Sequence, residues 1–275
     1  MIPKIVVFGG NGFLGKRICQ EAINNGFKVL SVSRSGKAPP LQSPNDRQWI
    51  AEVEWKSGDV FNPDSYKKYL HGASNVVHSM GILLEDESYK MRIKSPLSGS
   101  FDLKSLIPSF GSNPLDKKNP NFTYQRMNKE SALLLAQTFS QIIDPSETKV
   151  RDMPTFTYIS ADKGFPIIPK GYIHSKREAE AGLMRYEDVF RPILVRPGFM
   201  FDEYKTTRDA RSYVHHALEF LNCSNRLLLG NKLRFVNEMV RPTVSTQQVS
   251  RSIIKKIKDP SFKGVLPLES IIDMT

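Results

Sequence analysis

The stretch that decides the fold is V-F-G-G-N-G-F-L-G, residues 7–15. A β-branched run at residues 4–8 precedes these glycines and a helical pattern follows them, which is the setting of a dinucleotide-binding loop. We expect Gly9 to turn the chain tightly, Gly12 to leave room for a pyrophosphate and Gly15 to let the helix pack on the strand. The N–H groups at the start of the helix would hold the phosphates. The candidate cofactor-binding residues of this loop are Gly9, Gly12, Phe13, Leu14 and Gly15.

Beyond the loop, short apolar runs alternate with helical patterns, and this alternation is typical of a parallel sheet with helices on both faces. The expected strands are residues 4–8, 28–33, 53–57, 75–78, 155–160 and 192–195. The expected helices are residues 13–25, 63–70, 124–143 and 171–186. The sequence therefore predicts an α/β fold with a Rossmann-type doubly wound parallel sheet over residues 1–200. A small, mainly helical C-terminal lobe, residues 201–275, is expected to pack on it, with helices at 212–221 and 246–257.

The periodicity fails at residues 85–121, which are rich in Ser, Pro, Lys and Asn. This stretch is too long for an ordinary connection within a compact domain. We interpret it as an insertion in the Rossmann domain that is either a flap over the site or a surface that binds another protein.

The identity of the cofactor is indicated by the end of the second strand, S-V-S-R-S-G-K at residues 31–37. Sites for NAD place an acidic residue there, which accepts hydrogen bonds from the ribose hydroxyls. This segment has no acid, whereas Ser33 and Arg34, with Lys37 nearby, offer a hydroxyl and two cations to a 2′-phosphate. The pattern therefore favours NADP(H) over NAD(H). The alternative is that Arg34 is only a solvated loop charge.

The candidate reaction centre is Y-I-H-S-K at residues 172–176. At the start of a helix, a spacing of four places Tyr172 and Lys176 on one face. An ammonium group beside the phenol lowers a tyrosine pKa that is otherwise roughly 10, and so makes the phenol a usable acid or base. Ser160 ends the preceding strand, where it can donate to a substrate carbonyl. We therefore predict Tyr172, Lys176 and Ser160 as catalytic residues.

The order of these motifs resembles that of an atypical or extended short-chain dehydrogenase/reductase. The resemblance covers residues 2–201 and a helix at 244–257. The motifs that carry it are V-F-G-G-N-G-F-L-G, G-D-V (58–60), V-V-H-S-M-G (76–81), Y-I-S-A (158–161), Y-I-H-S-K and V-R-P-G-F (195–199).

The resemblance implies further cofactor contacts. The residues that would flank the adenine are Asp59 and Val60, and those that would line the ribose and nicotinamide are His78, Ser79 and Gly81. Lys176 would also hold the nicotinamide ribose, and Pro197 would belong to the cofactor site. Asn128 falls on the long helix where the family carries a supporting asparagine.

A closer resemblance is to a fungal mitochondrial branch of this family. It is carried by Y-I-S-A-D-K-G-F-P, S-K-R-E-A-E, I-L-V-R-P-G-F-M-F-D-E and R-P-T-V-S-T-Q-Q-V-S. The branch is associated with the coenzyme Q (ubiquinone) biosynthetic complex and is related to the nucleotide-binding accessory subunit of respiratory complex I. It implies a location at the matrix face of the inner mitochondrial membrane, with ubiquinone-biosynthesis proteins as partners. Two functions stay open: an oxidoreductase acting on a prenylated quinone precursor, and a catalytically silent accessory or assembly subunit.

The stretch at residues 213–240 mixes bulky apolar residues with Arg226, Lys232 and Arg234. Such a surface would suit peripheral contact with an anionic membrane or a pocket for a prenylated quinone. It would equally suit a helical lobe packed on the sheet. The sequence leaves these three interpretations open.

Composition and charge limit which other classes of protein this chain could belong to. The 275 residues carry a formal net charge of +11, but the Lys and Arg are scattered and lack an aromatic platform, which argues against nucleic acid as the partner. No run of about 18 apolar residues indicates a membrane span, and the first strand starts too early for an N-terminal presequence to be expected. Cys19 and Cys223 are expected to be reduced and buried, with a disulfide as the alternative. No cluster of His and Cys indicates a metal site.

Overall fold

The computed structural model describes residues 2–41, 43–82, 123–143, 153–163, 169–203 and 241–274. The strands are β1 (Lys4–Phe8), β2 (Lys28–Ser33), β3 (Glu54–Ser57), β4 (Asn75–His78), β5 (Thr155–Ile159), β6 (Arg191–Val195), β7 (Met200–Phe201), β8 (Val244–Ser245) and β9 (Gly264–Leu266). The helices are α1 (Gly15–Asn24), α2 (Asp46–Glu52), α3 (Lys67–Leu70), α4 (Ser131–Ser140), α5 (Lys170–Met184), α6 (Thr246–Lys258) and α7 (Leu268–Asp273). A 3-10 turn (Pro63–Ser65) leads into α3, and a π-helical turn (Gln125–Glu130) leads into α4.

Seven of these strands form one parallel sheet in the order β3-β2-β1-β4-β5-β6-β9. The chain builds outwards from β1 to β3 on one side and from β4 to β9 on the other, so the strand order reverses between β1 and β4. Ligands of such sheets bind beyond the carboxyl ends of the strands at this reversal. The predicted Rossmann-type doubly wound sheet is confirmed, and the glycine loop lies at the reversal.

Helices cover both faces of the sheet, which is why the central strands β1, β4, β5 and β6 are buried along nearly their whole length. In β1, the side chains of Ile5 and Val7 join a core cluster with α1 and α6, whereas Val6 and Phe8 join a cluster with α4 and α5. All four side chains are buried. The two layers therefore fix β1 from both sides, and with it the loop that follows.

The helices in the amino-terminal half differ from the predicted ones in detail. α1 begins at Gly15 because the glycine loop turns first, and it ends before Gly26, whose φ is +76°. The predicted helix at 63–70 is a 3-10 turn followed by α3. α2 was missed because its seven residues carry too little periodicity and follow a Pro-rich stretch. Within α2, the carboxylate of Asp46 accepts from the indole Nε1 of Trp49 at 3.1 Å.

The C-terminal segment is less separate than predicted. β9 pairs with β6 as the seventh strand of the main sheet, and α6 packs on α1. A capping box formed by Ser245 and Gln248 starts α6, close to the predicted helix at 246–257. A domain boundary at residue 200 would therefore leave part of the sheet outside the first domain. The three residues of β9 were too few to recognise from the sequence.

Several predicted features lie outside the described residues, namely the insertion at 85–121, the helix at 212–221, the stretch at 213–240 and Cys223. Cys19 is a free thiol in α1, and burial raises its pKa. In the described part of the chain, no helix is both long and apolar enough to cross a membrane. The same residues hold no group of three or more His, Cys, Asp and Glu placed to bind a metal ion.

Candidate active site

The glycine loop folds back on itself at the carboxyl end of β1. Gly9 has a φ of +83°, its N–H donates to Val32 O at 2.9 Å, and its carbonyl accepts from Gly12 N–H at 2.9 Å. A Cβ on Gly15 would lie 2.1 Å from Gly9 O, so only glycine lets α1 start this close to the turn. Among the described atoms within 4 Å, a Cβ on Gly12 would meet Gly9 O alone, at 3.0 Å. The outer side of Gly12 is therefore open to a ligand.

In the part of the chain that the structure describes, no side chain caps the start of α1, and the first turn of this helix holds no acid. The positive end of the helix dipole therefore suits an anion. Leu14 is buried in the core and offers a ligand only its backbone, and Phe13 beside it is half-buried.

Gly10 was missed by sequence reasoning. A Cβ there would lie 2.4 Å from Ser31 Oγ and 2.9 Å from Cys19 Sγ, so the doubled glycine was the available signal.

A tight turn at residues 33–37 follows β2 and borders the glycine loop. The N–H of Gly36 donates to both the carbonyl and the hydroxyl of Ser33, each at 3.2 Å, and Gly36 has a φ of +60°. Arg34 and Lys37 are exposed. The structure thus places Ser33, Arg34 and Lys37 on one turn that holds no carboxylate.

The residues expected to flank an adenine follow β3. Asp59 is exposed, and its Oδ1 accepts from the N–H of Phe61 at 3.0 Å. Val60 is buried, so its backbone is what it can offer to a base. The guanidinium of Arg126 lies 4.5 Å from the ring centre of Phe61. An aromatic ring and a cation therefore lie together just beyond β3.

His78 has a different environment from the expected one. Its side chain is fully buried, and its Nε2 is 2.9 Å from Ser131 Oγ on α4. Burial, followed by the nearby charge of Lys176, lowers the pKa of His78 to about 3, so the imidazole is neutral. The alternation along β4 turns the side chain of His78 toward α4, so the backbone of His78 is what it can offer to a ribose or nicotinamide. Ser79 and Gly81, just beyond the strand, are half-buried.

Asn128 lies in the π-helical turn, a rare feature that is frequent at functional sites. The predicted helix at 124–143 gave no sign of this turn. The amide of Asn128 is buried and pairs with Ile82 twice: Oδ1 accepts from Ile82 N–H at 2.9 Å, and Nδ2 donates to Ile82 O at 3.2 Å. Asn128 therefore fixes the chain that leaves β4.

Lys176 is buried where β4, β5 and α5 meet. Its Nζ donates to Ile159 O at 2.7 Å and lies 5.9 Å from the ring centre of Tyr172. Burial lowers the pKa of Lys176 to about 7, against an opposing effect of Glu180. Near neutral pH, this amine is therefore poised between its charged and neutral forms.

Two tyrosines border this amine, and their environments differ. Tyr158 is buried, its hydroxyl donates to Asn128 O at 2.6 Å, and burial raises its pKa, so it stays protonated. Tyr172 is half-buried in the first turn of α5, where the ring of Tyr124 packs against it at 6.0 Å. Tyr124 was not predicted as a site residue. Of the two, Tyr172 has the exposure that a proton exchange with a ligand requires.

Ser160 follows β5, and its hydroxyl is held by α5. Its Oγ accepts from Arg177 Nη1 at 3.1 Å, while Arg177 Nη2 donates to Ala161 O at 2.8 Å. The buried carboxylate of Glu180 accepts from both Arg177 and Arg196. No acceptor in the described part of the chain takes the proton of the Ser160 hydroxyl. The hydroxyl is therefore fixed in place with its proton left to donate.

The loops beyond β5 and β6 are joined to each other. Pro197 is buried, and its carbonyl accepts from the N–H of Asp162 at 2.9 Å. The guanidinium of Arg241 donates to the carboxylates of Asp162 and Glu269. The links of Asp162 with Pro197 and Arg241 were missed by sequence reasoning because these partners lie far apart along the chain. The pair of Arg177 and Glu180, three residues apart on α5, was also missed. They hold the carboxyl-terminal edge of the sheet in one arrangement.

A buried ion cluster ties the start of α1 to the C-terminal segment. Lys16 Nζ lies 2.8 Å from Asp202 Oδ2, Arg17 Nε donates to Asp202 Oδ1 at 3.2 Å, and Gln247 Nε2 donates to the same oxygen at 2.8 Å. Burial alone would raise the pKa of Asp202, but these hydrogen bonds hold it below its ordinary value. The helix that follows the glycine loop is therefore anchored to residues beyond β7.

The geometry agrees with comparisons to known proteins. Residues 5–91 match the NAD dependent epimerase/dehydratase family. A short-chain dehydrogenase/reductase-family oxidoreductase from Burkholderia thailandensis is similar in structure, with a TM-score of 0.58 at 11% identity over 98% of this chain and 91% of that one. The UDP-glucose 4-epimerase of Thermus thermophilus, solved in complex with NAD, has a TM-score of 0.55 at 12% identity over 96% of this chain and 77% of that one. These likenesses establish the fold.

A yeast protein is similar to this chain in sequence. MIOREX complex component 2 of Saccharomyces cerevisiae is 58% identical over 278 residues, which span 99% of this chain and 99% of the yeast protein. The predicted resemblance to short-chain dehydrogenases is confirmed at the level of the fold. The chain therefore belongs to the family of the yeast MIOREX complex component 2 and has an epimerase- and short-chain-dehydrogenase-like fold.

Proposed function

We propose that this protein is an NADP(H)-dependent oxidoreductase of the short-chain dehydrogenase/reductase type, acting on a carbonyl or hydroxyl group of a quinone precursor in mitochondrial ubiquinone biosynthesis. The observation that carries the oxidoreductase assignment is the buried amine of Lys176, between Gly81, the Ile159 carbonyl and the ring of Tyr172. Burying an amine that titrates near neutral pH costs folding free energy. A role in proton exchange with the adjoining phenol of Tyr172 would explain why the protein buries this amine despite the cost in folding free energy.

The residues at the carboxyl ends of β1 to β4 suit a nicotinamide dinucleotide. The open side of Gly12 and the uncapped start of α1 suit a pyrophosphate. Asp59, Val60 and the aromatic border at Phe61 suit an adenine, and Lys176 suits the nicotinamide ribose. The turn at residues 33–37 supports NADP(H) over NAD(H), because it carries hydroxyls and cations but no carboxylate.

The residues of the chain would handle the proton, while the bound cofactor would give or take the hydride. The hydroxyl of Tyr172 exchanges a proton with the substrate oxygen, and the charged form of Lys176 stabilises the phenolate. Ser160 donates to the same oxygen and polarises the carbonyl. One lone pair of Ser160 is already taken by Arg177, which favours the donor role.

The substrate class and the location rest on the resemblance to the fungal mitochondrial branch. This resemblance implies a location at the matrix face of the inner mitochondrial membrane, beside ubiquinone-biosynthesis proteins. The yeast relative is named as a component of a complex, which supports protein partners for this chain.

The second candidate is a catalytically silent subunit that binds the nucleotide and helps to assemble the complex. One observation favours it: both polar atoms of the Asn128 amide fix Ile82, so the candidate site also anchors the chain that enters residues 83–122. In this function the dinucleotide would stabilise the fold, as any ligand of the native state does.

The proposed oxidoreductase activity is tested by measuring NADPH oxidation by the purified protein with a panel of quinone precursors. We expect turnover by the unchanged protein and by the control Tyr69→Phe, and a loss of at least about 10²-fold in Tyr172→Phe. No turnover, or equal turnover in Tyr172→Phe, would refute it. In cells that lack the protein, restoration of ubiquinone by Tyr172→Phe but not by Gly12→Val would establish the silent subunit instead.

A further inference from the structure

The turn at residues 33–37 is held from two sides. On one side, Asn11 of the glycine loop donates its Nδ2 to Ser35 Oγ at 3.2 Å and to Lys37 O at 3.3 Å. On the other side, Ser57 at the end of β3 donates its hydroxyl to Arg34 O at 2.9 Å. The turn therefore has a defined shape although it is exposed.

The same contacts gather hydrogen-bonding groups inside the turn. Ser35 Oγ accepts from Lys37 N–H at 3.3 Å and lies 3.4 Å from Ser33 Oγ. Gly36 packs against β3, where a Cβ would stand 2.7 Å from Ser57 N. Two hydroxyls and the backbone between two cationic residues are thus arranged before any ligand arrives, which is the composition of a phosphate site.

We propose that Asn11 is a specificity-determining residue for the cofactor: its amide joins the glycine loop to the 33–37 turn, and so preforms the turn for the 2′-phosphate of NADP(H). The proposal rests on the NADP(H) preference proposed above. Without the amide, the turn would lose its link to the loop and would have to be ordered when the cofactor binds, which weakens binding. NAD(H) has no 2′-phosphate and makes no use of the turn's shape.

The effect of Asn11 should be selective because the glycine loop does not depend on its side chain. The shape of that loop is set by the φ of Gly9, by the hydrogen bond from Gly12 N–H to Gly9 O, and by the contact of Gly15 with Gly9. None of these involves the amide of Asn11. The part of the site that holds the pyrophosphate, which both dinucleotides share, would therefore persist without it.

The test measures the Kd of NADPH and of NADH by fluorescence titration. We expect Asn11→Ala to weaken NADPH roughly tenfold and to change the Kd of NADH by less than about twofold. Asn11→Asp cannot donate to Ser35 and adds a negative charge beside the phosphate, so it should weaken NADPH roughly 100-fold. The matched control is Asn25→Ala, at the far end of α1, where Nδ2 donates to Glu21 O at 2.9 Å; it should leave both affinities unchanged.

Binding of NADH by each variant also reports that the variant is folded. If both Asn11 variants kept the preference for NADPH, the role proposed for Asn11 would be overturned, but the cofactor preference itself would stand. Equal weakening of the two cofactors would also overturn it, since the amide would then serve the whole loop. Equal affinity of the unchanged protein for NADPH and NADH would instead refute the cofactor preference on which the proposal rests.

Discussion

The Nζ of Lys176 lies 3.1 Å from the point that a Cβ on Gly81 would occupy, and Asn128 Oδ1 lies 2.9 Å from the same point. The end of β4, the π-helical turn and α5 thus meet at a backbone that has no room for a side chain. A buried amine and a buried amide share this space, so the candidate site is assembled around Gly81.

Replacing Gly81 with alanine tests this arrangement. The φ of Gly81 is +154°, which L side chains rarely adopt, and a methyl group would displace Lys176 or Asn128. We expect Gly81→Ala to lower the free energy of unfolding by roughly 2–4 kcal/mol, as measured by urea titration. Gly26→Ala is the control, because φ is also positive there but nothing lies within 4 Å of its Cβ, so only the backbone term of about 1 kcal/mol remains. Equal losses in the two variants would contradict the packing argument.

The buried amine of Lys176 predicts a pH dependence of stability. In the folded protein its pKa is about 7, against 10.5 for an ordinary lysine, so between these values the unfolded chain holds a proton that the folded chain has released. The free energy of unfolding therefore rises with pH over this window, by at most about 1.4 kcal/mol per pH unit from this group. Lys176→Met removes the effect.

Urea unfolding at pH 7, 8 and 9 measures it. From pH 7 to pH 9, the unfolding free energy of Lys176→Met should rise by roughly 2 kcal/mol less than that of the unchanged protein. Lys170→Met, exposed at the start of α5, should run parallel to the unchanged protein. Parallel curves for Lys176→Met would mean that the amine is not desolvated in solution.

The sheet could be predicted because its signals are local. The runs that became β1 and β2 are long and apolar, and the glycine loop between β1 and α1 has a recognisable spacing. β9 and α2 were missed for a physical reason: three or seven residues carry too little periodicity, and their stability comes from packing on β6 and α1. Tertiary contacts, rather than local propensity, decide such short elements.

The candidate site could be predicted only where one segment supplies it. The spacing of Tyr172 and Lys176 along one helix was sufficient to place them together. The partners of Ser160 and Asp202 lie up to 185 residues away along the chain, and no local pattern indicates them. The burial of the His78 side chain was not predicted, because a motif fixes a position along the strand but not the face that a side chain takes.

Arg177 should matter to catalysis through Ser160. Its guanidinium holds the Ser160 hydroxyl as a donor, so Arg177→Met should lower kcat roughly tenfold for a reducible quinone precursor and leave the Kd of NADPH unchanged. In a Ser160→Ala background the same substitution should have no further effect. Arg185→Met, exposed just after α5, is the control. An equal loss in both backgrounds would show that Arg177 acts by another route.

The ion cluster around Asp202 predicts a large structural effect. Removing this carboxylate takes one partner from the buried cations of Lys16 and Arg17, while Arg17 keeps its contact with Asp46. Removing one partner of a buried ion pair typically costs about 3–5 kcal/mol. We therefore expect a loss of this size in the unfolding free energy of Asp202→Ala at pH 7. Asp273→Ala, at an exposed carboxylate, should stay within about 0.5 kcal/mol of the unchanged protein.

The pH dependence of the Asp202 effect follows from the sign of its pKa shift. The folded protein holds the pKa of Asp202 below its ordinary value, so in acid the unfolded chain takes up the proton first. The stabilisation by the carboxylate is therefore complete above the ordinary pKa of an aspartate and is lost as the pH falls through the lower, folded value. Urea titrations of the unchanged protein and of Asp202→Ala should begin to converge as the pH falls below about 4, the ordinary pKa of an aspartate. A constant gap would show that the loss comes from packing rather than from charge.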